Sequence, residues 1–235
     1  MTSAEQMTQI PERFASVQSL MQHAIQSSQR DPDDVRLLAV SKGHNTDAIR
    51  TCHRQGQVWF GENYAQELAQ KAAELADLPV KWSFIGRIQS NKIPSIVKHA
   101  HEIQGLAELK HGQLIARHAV MTAKTPFPVW ILVNAGEESS KAGVPLGEAT
   151  SFAKSLESEC PVLDIQGIMA IPPKDLSLEN GQIPALYLQL AEVARTIGAG
   201  QLSLGMTNDL GKAIGAGSNC VRVGTAIFGE RPPKT

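Results

Sequence analysis

A lysine that directly follows a short apolar segment is the first residue of this sequence that could do covalent chemistry. Lys42 comes after Leu37-Leu38-Ala39-Val40-Ser41, a run typical of a buried strand. A lysine amine becomes a good nucleophile only when burial or nearby positive charge lowers its pKa from about 10.4. At a partly buried strand end, Lys42 meets the condition for a Schiff base with an aldehyde. The plainer interpretation is that Lys42 closes the strand and extends to water. Lys92 and Lys141 are rivals, at a helix start and in a polar loop, where solvation is expected.

Two glycine-containing turns near the end of the sequence have the composition of a phosphate site. Leu204-Gly205-Met206-Thr207 precedes a predicted helix, so the N–H groups of Met206 and Thr207 and the Thr207 hydroxyl could donate to an anion at the positive helix end. In Val223-Gly224-Thr225 the glycine lets the backbone approach a ligand closely. The alternatives are ordinary helix capping in the first turn and a simple tight turn in the second.

Other polar residues add less. Arg222 alternates with apolar neighbours, so its guanidinium could point into a site and donate to a ring nitrogen or pair with a carboxylate; the alternative is a salt bridge on the outer face. Asp209 would repel a phosphate if it faced inward, and we expect it to face solvent. His99 and His101 lack a third ligand, so no metal site is predicted. No paired acid and base stands out, and no catalytic residue is assigned.

The elements that must position these residues alternate between strand and helix. After a helix over 10–29, short apolar runs and helical spacing alternate eight times. The predicted strands are 35–40, 58–60, 80–85, 102–105, 128–133, 163–170, 201–204 and 220–223. Apolar parallel strands with intervening helices predict an α/β fold, a single (β/α)8 TIM-type barrel, with an open doubly wound sheet as the competing topology. We assign 1–34 to an N-terminal tail and helix packing on the barrel, and 35–235 to the barrel itself. The loop 171–181 is expected to lie over the barrel mouth.

Composition excludes several classes of protein. The 22 basic and 23 acidic residues leave a net charge of −1, which provides no basic surplus for nucleic acid. No apolar run approaches the roughly 18 residues of a membrane span, and the polar N-terminus lacks a secretory apolar core. The three cysteines are widely separated and without CxxC spacing, which indicates reduced thiols. A cytoplasmic protein without nucleic-acid or membrane partners is expected.

In these residues the sequence resembles the pyridoxal phosphate homeostasis protein family, a relative of the N-terminal barrel of alanine racemase. Seven matches occur in the family's order over about four-fifths of the chain. They are Leu38-Ala39-Val40-Ser41-Lys42; Phe60-Gly61-Glu62-Asn63-Tyr64; Phe84-Ile85-Gly86 with Gln89-Ser90-Asn91-Lys92; Val133-Asn134 with Ser140-Lys141-Ala142-Gly143; 167–172; 202–207; and 221–229. Any one match is weak, and the ordered series is specific.

The resemblance implies a pyridoxal 5'-phosphate (PLP) site. Lys42 would carry the Schiff base, Asn63 would line the site, and Arg222 would lie toward the pyridine nitrogen. The phosphate would be held by Met206, Thr207, Gly224 and Thr225. An arginine at the ring nitrogen is always protonated and cannot accept the ring proton, so the cofactor stays a weak electron sink.

The sequence also departs from the family. Gly43-His44-Asn45 follows the lysine where Thr-Lys-Pro is usual, so any role of that second lysine is absent. Ser83 stands where a histidine is common. Thr207-Asn208-Asp209 replaces Ser-Asp-Asp, which keeps a hydroxyl and drops one charge. These changes bear on fine tuning more than on cofactor binding.

The expected function is therefore non-enzymatic PLP homeostasis. The protein is expected to be a monomer that holds PLP reversibly, could also hold other B6 vitamers, and could pass PLP to apo-enzymes. The alternative is a PLP-dependent racemase or lyase. Racemisation needs a second acid or base, which alanine racemases take from a C-terminal β domain, and only six residues follow Gly229. A phosphosugar aldolase or isomerase could use the same lysine and turns without PLP.

Overall fold

A computed structural model describes residues 3–136, 142–173, 176 and 182–231, with side chains from residue 7 onward. The strands are β1 (Arg36–Val40), β2 (Trp59–Glu62), β3 (Lys81–Phe84), β4 (Glu102–Leu106), β5 (Phe127–Asn134), β6 (Val144–Pro145), β7 (Leu163–Ala170), β8 (Gln201–Ser203) and β9 (Cys220–Val223). The α-helices are α1 (Ser3–Ser27), α2 (Thr46–His53), α3 (Ala65–Glu74), α4 (Ile93–His99), α5 (Leu109–Met121), α6 (Ala149–Glu159), α7 (Ala185–Ala194), α8 (Leu210–Ala216) and α9 (Thr225–Phe228).

Eight of these strands close into a parallel barrel. The order runs from β1 to β5 and then through β7, β8 and β9, with β1 paired to β9 and β4 paired to β5. The predicted (β/α)8 barrel is confirmed, and the open-sheet alternative is wrong because no edge separates β1 from β9. The short β6, which was not predicted, adds to β5 outside the barrel.

Alternation along each strand sends one set of side chains to the helices and the other into the barrel. On β1, Leu37 and Ala39 belong to the large apolar layer between strands and helices, whereas Leu38 belongs to a small cluster inside the barrel with Trp130 and Met169. None of the described helices is both long and apolar enough to cross a bilayer.

The bottom of the barrel interior is polar but paired. Arg36 donates to Glu102 at 2.8 Å and lies over the ring of Trp59 at 4.1 Å. Glu102 also accepts from the Trp130 indole at 3.2 Å and from Gln104 at 2.7 Å. A buried charge requires such partners. Because the polar groups at this end of the barrel already bind one another, we expect a ligand at the opposite end.

The N-terminal helix starts earlier than its apolar spacing predicts. The prediction was 10–29, and α1 runs from Ser3 to Ser27 with Pro11 inside it. Its buried face, which includes Phe14 and Met21, packs against α8, α9 and α2. The helix thus covers the side of the barrel where helices from the end of the chain, α8 and α9, lie next to α2 from its beginning.

Candidate functional site

Lys42 lies two residues beyond β1, at the carboxyl end of the barrel strands. It is half-buried, and burial lowers the pKa of its amine, helped by the Arg231 guanidinium and opposed by Glu62 and Glu67. A lowered pKa increases the fraction of neutral amine near pH 7, and the neutral form is the nucleophile. The structure therefore supplies both conditions named from the sequence, burial and a nearby cation.

A buried charged network lies behind Lys42. Glu62, fully buried at the end of β2, accepts from the Ser41 hydroxyl at 2.6 Å and from the Lys71 ammonium at 2.7 Å. Burial raises the pKa of Glu62 to about 7, because desolvation outweighs the attraction of Lys71. In the sequence, Glu67 and Lys71 have the spacing of an ordinary ion pair on the solvent-exposed face of a helix. That spacing does not indicate that Lys71 is buried.

The two predicted phosphate turns lie on adjacent strands of the barrel, beside the end of β1. Ala39 pairs with Val223, and a Cβ added to Gly224 would lie 3.2 Å from the Val40 carbonyl oxygen. The Gly224 backbone therefore packs against the strand that leads to Lys42. Thr225 follows it, exposed at the start of α9.

The turn after β8 differs from its prediction in two respects. Helix α8 begins at Leu210 rather than Thr207, so Met206 and Thr207 lie in an exposed turn before it. Asp209, expected to face solvent, is only 5% exposed. Its carboxylate accepts from the Met206 N–H at 2.6 Å and from the Tyr187 hydroxyl at 2.5 Å. The expectation was wrong because these two donors compensate the burial of the charge.

The Met206–Asp209 contact changes which backbone donors are available. With the Met206 N–H engaged by Asp209, the exposed Thr207 and Thr225 are the predicted phosphate ligands that face open space. A cavity of about 730 Å³ adjoins both turns. Its walls include Ile171, Pro172, Leu176, Tyr187, Met206, Thr207, Asp209 and Thr225. Lys42 does not line this cavity and lies just beyond the end of β1, the strand next to β9.

Arg222 points into the barrel and is buried. Its guanidinium donates to the Ser203 hydroxyl at 2.8 Å and to the Ala170 carbonyl at 2.8 Å. Ser203 donates in turn to Gln104 at 2.7 Å. Burial lowers the pKa of Arg222, yet guanidinium stays protonated at neutral pH. The side chain is a fixed donor inside the barrel, not a partner in an outer-face salt bridge.

Three buried polar atoms on β2, directly after it and on β3 have no hydrogen-bond partner within the described part of the chain. They are Oε2 of Glu62, Oδ1 of Asn63 and Oγ of Ser83. Leaving such atoms unpaired is unfavourable, so this side of the barrel fits a ligand that brings polar groups to it. Ser83 occupies the position where the resembled family often has histidine.

The loop after Lys42 carries the other departure from that family. His44 stacks on Phe228 with ring centroids 5.2 Å apart, and burial together with Lys71 and Arg231 lowers its pKa to about 4. His44 is therefore neutral at pH 7 and does not replace a lysine's charge. Of the rival lysines, Lys92 sits in a short 3-10 turn, and Lys141 lies outside the described residues, as does most of the loop 171–181.

Comparison with known proteins gives a consistent result. The sequence model of the family "Alanine racemase, N-terminal domain" matches residues 15–232. The pyridoxal phosphate homeostasis protein of Pseudomonas aeruginosa is 39% identical over 96% of this chain and 97% of its own, and that of Escherichia coli K12 is 34% identical over 96% and 98%.

Solved structures agree with this. PipY of Synechococcus elongatus PCC7942, solved with PLP bound, aligns with a TM-score of 0.78 and 33% identity over 94% of this chain and all of its own. Alanine racemase from Corynebacterium glutamicum aligns with a TM-score of 0.67 at 14% identity, over 96% of this chain and 62% of its own, and shares the fold.

Proposed function

The chain belongs to the pyridoxal phosphate homeostasis protein family, and from that premise we propose that it binds PLP reversibly through a Schiff base on Lys42 and serves PLP homeostasis without catalysing a reaction of its own. The observation that carries the proposal is the placement of a half-buried, pKa-lowered amine at the same barrel end as the exposed Thr207 and Thr225, in the glycine-containing turns after β8 and β9.

Each predicted residue receives a role that its surroundings support. When bound, PLP would supply an aldehyde, and Lys42 would hold it reversibly through its neutral amine. Thr207, Gly224 and Thr225 hold the phosphate through backbone N–H groups and hydroxyls. The Met206 N–H donates to Asp209, so Met206 fixes the conformation of the first turn instead of donating this N–H to the phosphate. Arg222 and Asn63 contact the pyridine ring of PLP from inside the barrel.

Arg222 also supports a carrier over an enzyme. When bound, PLP can act as an electron sink, and it does so best when its ring nitrogen is protonated. A guanidinium has no lone pair to accept a proton and can only donate a hydrogen bond there. Two buried carboxylates of the barrel already have donors, since Glu102 accepts from Arg36 and Trp130 and Asp209 accepts from Tyr187 and the Met206 N–H.

The remaining features of the proposal concern cellular context. We place the protein in the cytoplasm as a monomer that could also accept other B6 vitamers and pass PLP to apo-enzymes. Its three cysteines are free and buried, as expected in a reducing compartment. An open cavity beside the phosphate turns gives the cofactor a route in and out.

The test compares wild type, Lys42→Ala and the control Lys92→Ala after addition of PLP. Wild type and Lys92→Ala should show the near-visible absorbance band of a protein-bound PLP imine, and borohydride should fix PLP to a peptide containing Lys42. Lys42→Ala should lose the band while keeping its circular dichroism spectrum. An undiminished band in Lys42→Ala would refute the assignment.

A second assay separates a carrier from an enzyme. The PLP-loaded protein should reactivate an apo PLP enzyme while leaving added alanine, serine and threonine unchanged. Turnover of any of these amino acids at enzyme-like rates, above about 1 s⁻¹, would favour the racemase or lyase instead. Absence of any imine band in wild type would favour the phosphosugar reaction class.

A further inference from the structure

Two residues of α3 hold the peptide groups on either side of Lys42. The Lys71 ammonium donates to the Ser41 carbonyl at 2.8 Å, and this carbonyl belongs to the peptide that precedes Lys42. The Glu67 carboxylate accepts from the Gly43 N–H at 2.5 Å, and this N–H belongs to the peptide that follows Lys42. Both flanking peptides are therefore attached to the same helix.

The two α3 residues are also bound to each other. Lys71 donates to the same Glu67 oxygen that accepts from Gly43, at 2.6 Å. The third donor of the ammonium goes to Glu62 at 2.7 Å. An ammonium has three donors, and in Lys71 each of them has a protein acceptor. These bonds hold the side chain in one position and compensate its burial, since Lys71 is only 4% exposed.

Stability alone does not account for this arrangement. Burying an ion pair is often no better for stability than packing apolar side chains in its place. The segment that the pair holds leaves the barrel ladder after Ser41 and turns through Gly43 at a φ of +76°. The His44 N–H closes this turn by donating to the Ser41 carbonyl at 3.0 Å, and the two α3 residues add contacts from outside the turn. Because the peptides on both sides of Lys42 are held, the position of its Cα, and so the reach of its side chain, is restricted.

We propose that Lys71 and Glu67 are positioning residues that hold Lys42 in place for bond formation with the aldehyde of a phosphate-anchored ligand. We call these two residues the α3 clamp. The inference rests on the proposed function, since it assumes that Lys42 is the residue that bonds to PLP. The clamp acts on the peptide groups beside Lys42, and among the described residues none of its hydrogen bonds goes to the phosphate turns.

This separation of roles makes a specific prediction about two ligands. PLP uses both the phosphate turns and Lys42, whereas pyridoxine 5'-phosphate has an alcohol in place of the aldehyde and uses the turns alone. Loosening the clamp should weaken binding of PLP by up to about a hundredfold, the order of effect that misplacing a reacting group by about 1 Å has on bond formation. Binding of pyridoxine 5'-phosphate should stay unchanged.

The experiment uses Lys71→Met, the double variant Glu62→Gln/Lys71→Met and the control Arg50→Met. The double variant leaves no unpaired charge at Glu62, so it keeps the test valid if Lys71→Met fails to fold. Arg50 on α2 donates to Asp77 at 2.6 Å and to the Glu74 carbonyl at the end of α3, and it makes an exposed ion pair away from Lys42. Arg50→Met should bind both ligands like wild type.

Dissociation constants for both ligands and the fraction of bound PLP trapped by borohydride are the readouts. A clamp variant that binds PLP as tightly as wild type, with the same trapped fraction, would overturn the inference. Equal weakening for both ligands would overturn it too, because that result indicates a general structural role. Failure of the proposed function looks different, since wild type itself would then show no trapped PLP.

Discussion

Replacing Glu62 by glutamine should remove a pH dependence from the stability of the protein. Glu62 is fully buried, and burial raises the pKa of its carboxyl from 4.5 to about 7 in spite of Lys71 at 2.7 Å. A raised pKa means that the folded state holds the proton more tightly than the unfolded chain does. The stabilisation from this group is complete below pH 4.5 and is lost as the pH rises through 7.

The two pKa values set the size of the effect. For a group with a pKa of 4.5 unfolded and about 7 folded, the linkage relation gives a loss of roughly 2–3 kcal/mol between pH 5 and pH 8. Glutamine stays neutral over this range and can still accept hydrogen bonds from Ser41 and Lys71. The free energy of unfolding of wild type should therefore fall by roughly 2–3 kcal/mol relative to Glu62→Gln between these two pH values.

Urea unfolding at pH 5 and pH 8, followed by circular dichroism, measures this difference. Glu157→Gln, an identical chemical change at an exposed position of α6, is the matched control and should follow wild type at both pH values. Parallel behaviour of wild type and Glu62→Gln would refute the reasoning. A rise in wild-type stability relative to the variant would mean that the Lys71 ammonium outweighs burial and keeps Glu62 ionised.

Three further predictions concern the residues around the site. Gly86→Ala should destabilise the protein by about 1–3 kcal/mol in thermal or urea unfolding, because the added Cβ would lie 1.9 Å from the Asn63 carbonyl oxygen; unchanged stability would mean that β2 can move away. Tyr187→Phe should cost about 2 kcal/mol of unfolding free energy by removing the hydroxyl donor to buried Asp209, whereas Tyr64→Phe, an exposed control, should cost almost nothing. The three buried thiols should resist a disulfide reagent in the native protein and react completely in guanidinium; Cys52, whose pKa burial raises to about 12, should be the slowest, and rapid native labelling of it would contradict its burial.

Much of the fold was predictable because it depends on local patterns. Strands such as 128–133 and 163–170 are apolar runs flanked by polar turns, and the structure has them as Phe127–Asn134 and Leu163–Ala170. Closure of the barrel was predictable from the count of eight alternations. The two-residue strand Val144–Pro145 was not, because so short a segment carries no periodicity of its own.

The site was predictable only in part. The strand-end positions of Lys42, Gly224 and Thr225 follow from the order of the elements in a parallel barrel, where strand ends converge. The inward direction of Asp209 was not predictable, because its donor Tyr187 comes from a different helix 22 residues away.

The sequence by itself determined the order of strands and helices, the position of an amine after the first strand and the two glycine turns near its end, because each depends on neighbours within a few residues. Only the tertiary structure decided how these groups are charged and held. The partners that make the burial of Glu62, Lys71 and Asp209 tolerable belong to different strands, helices and turns of the chain. Desolvation and hydrogen bonding act through space, so the protonation and orientation of the site depend on the folded barrel.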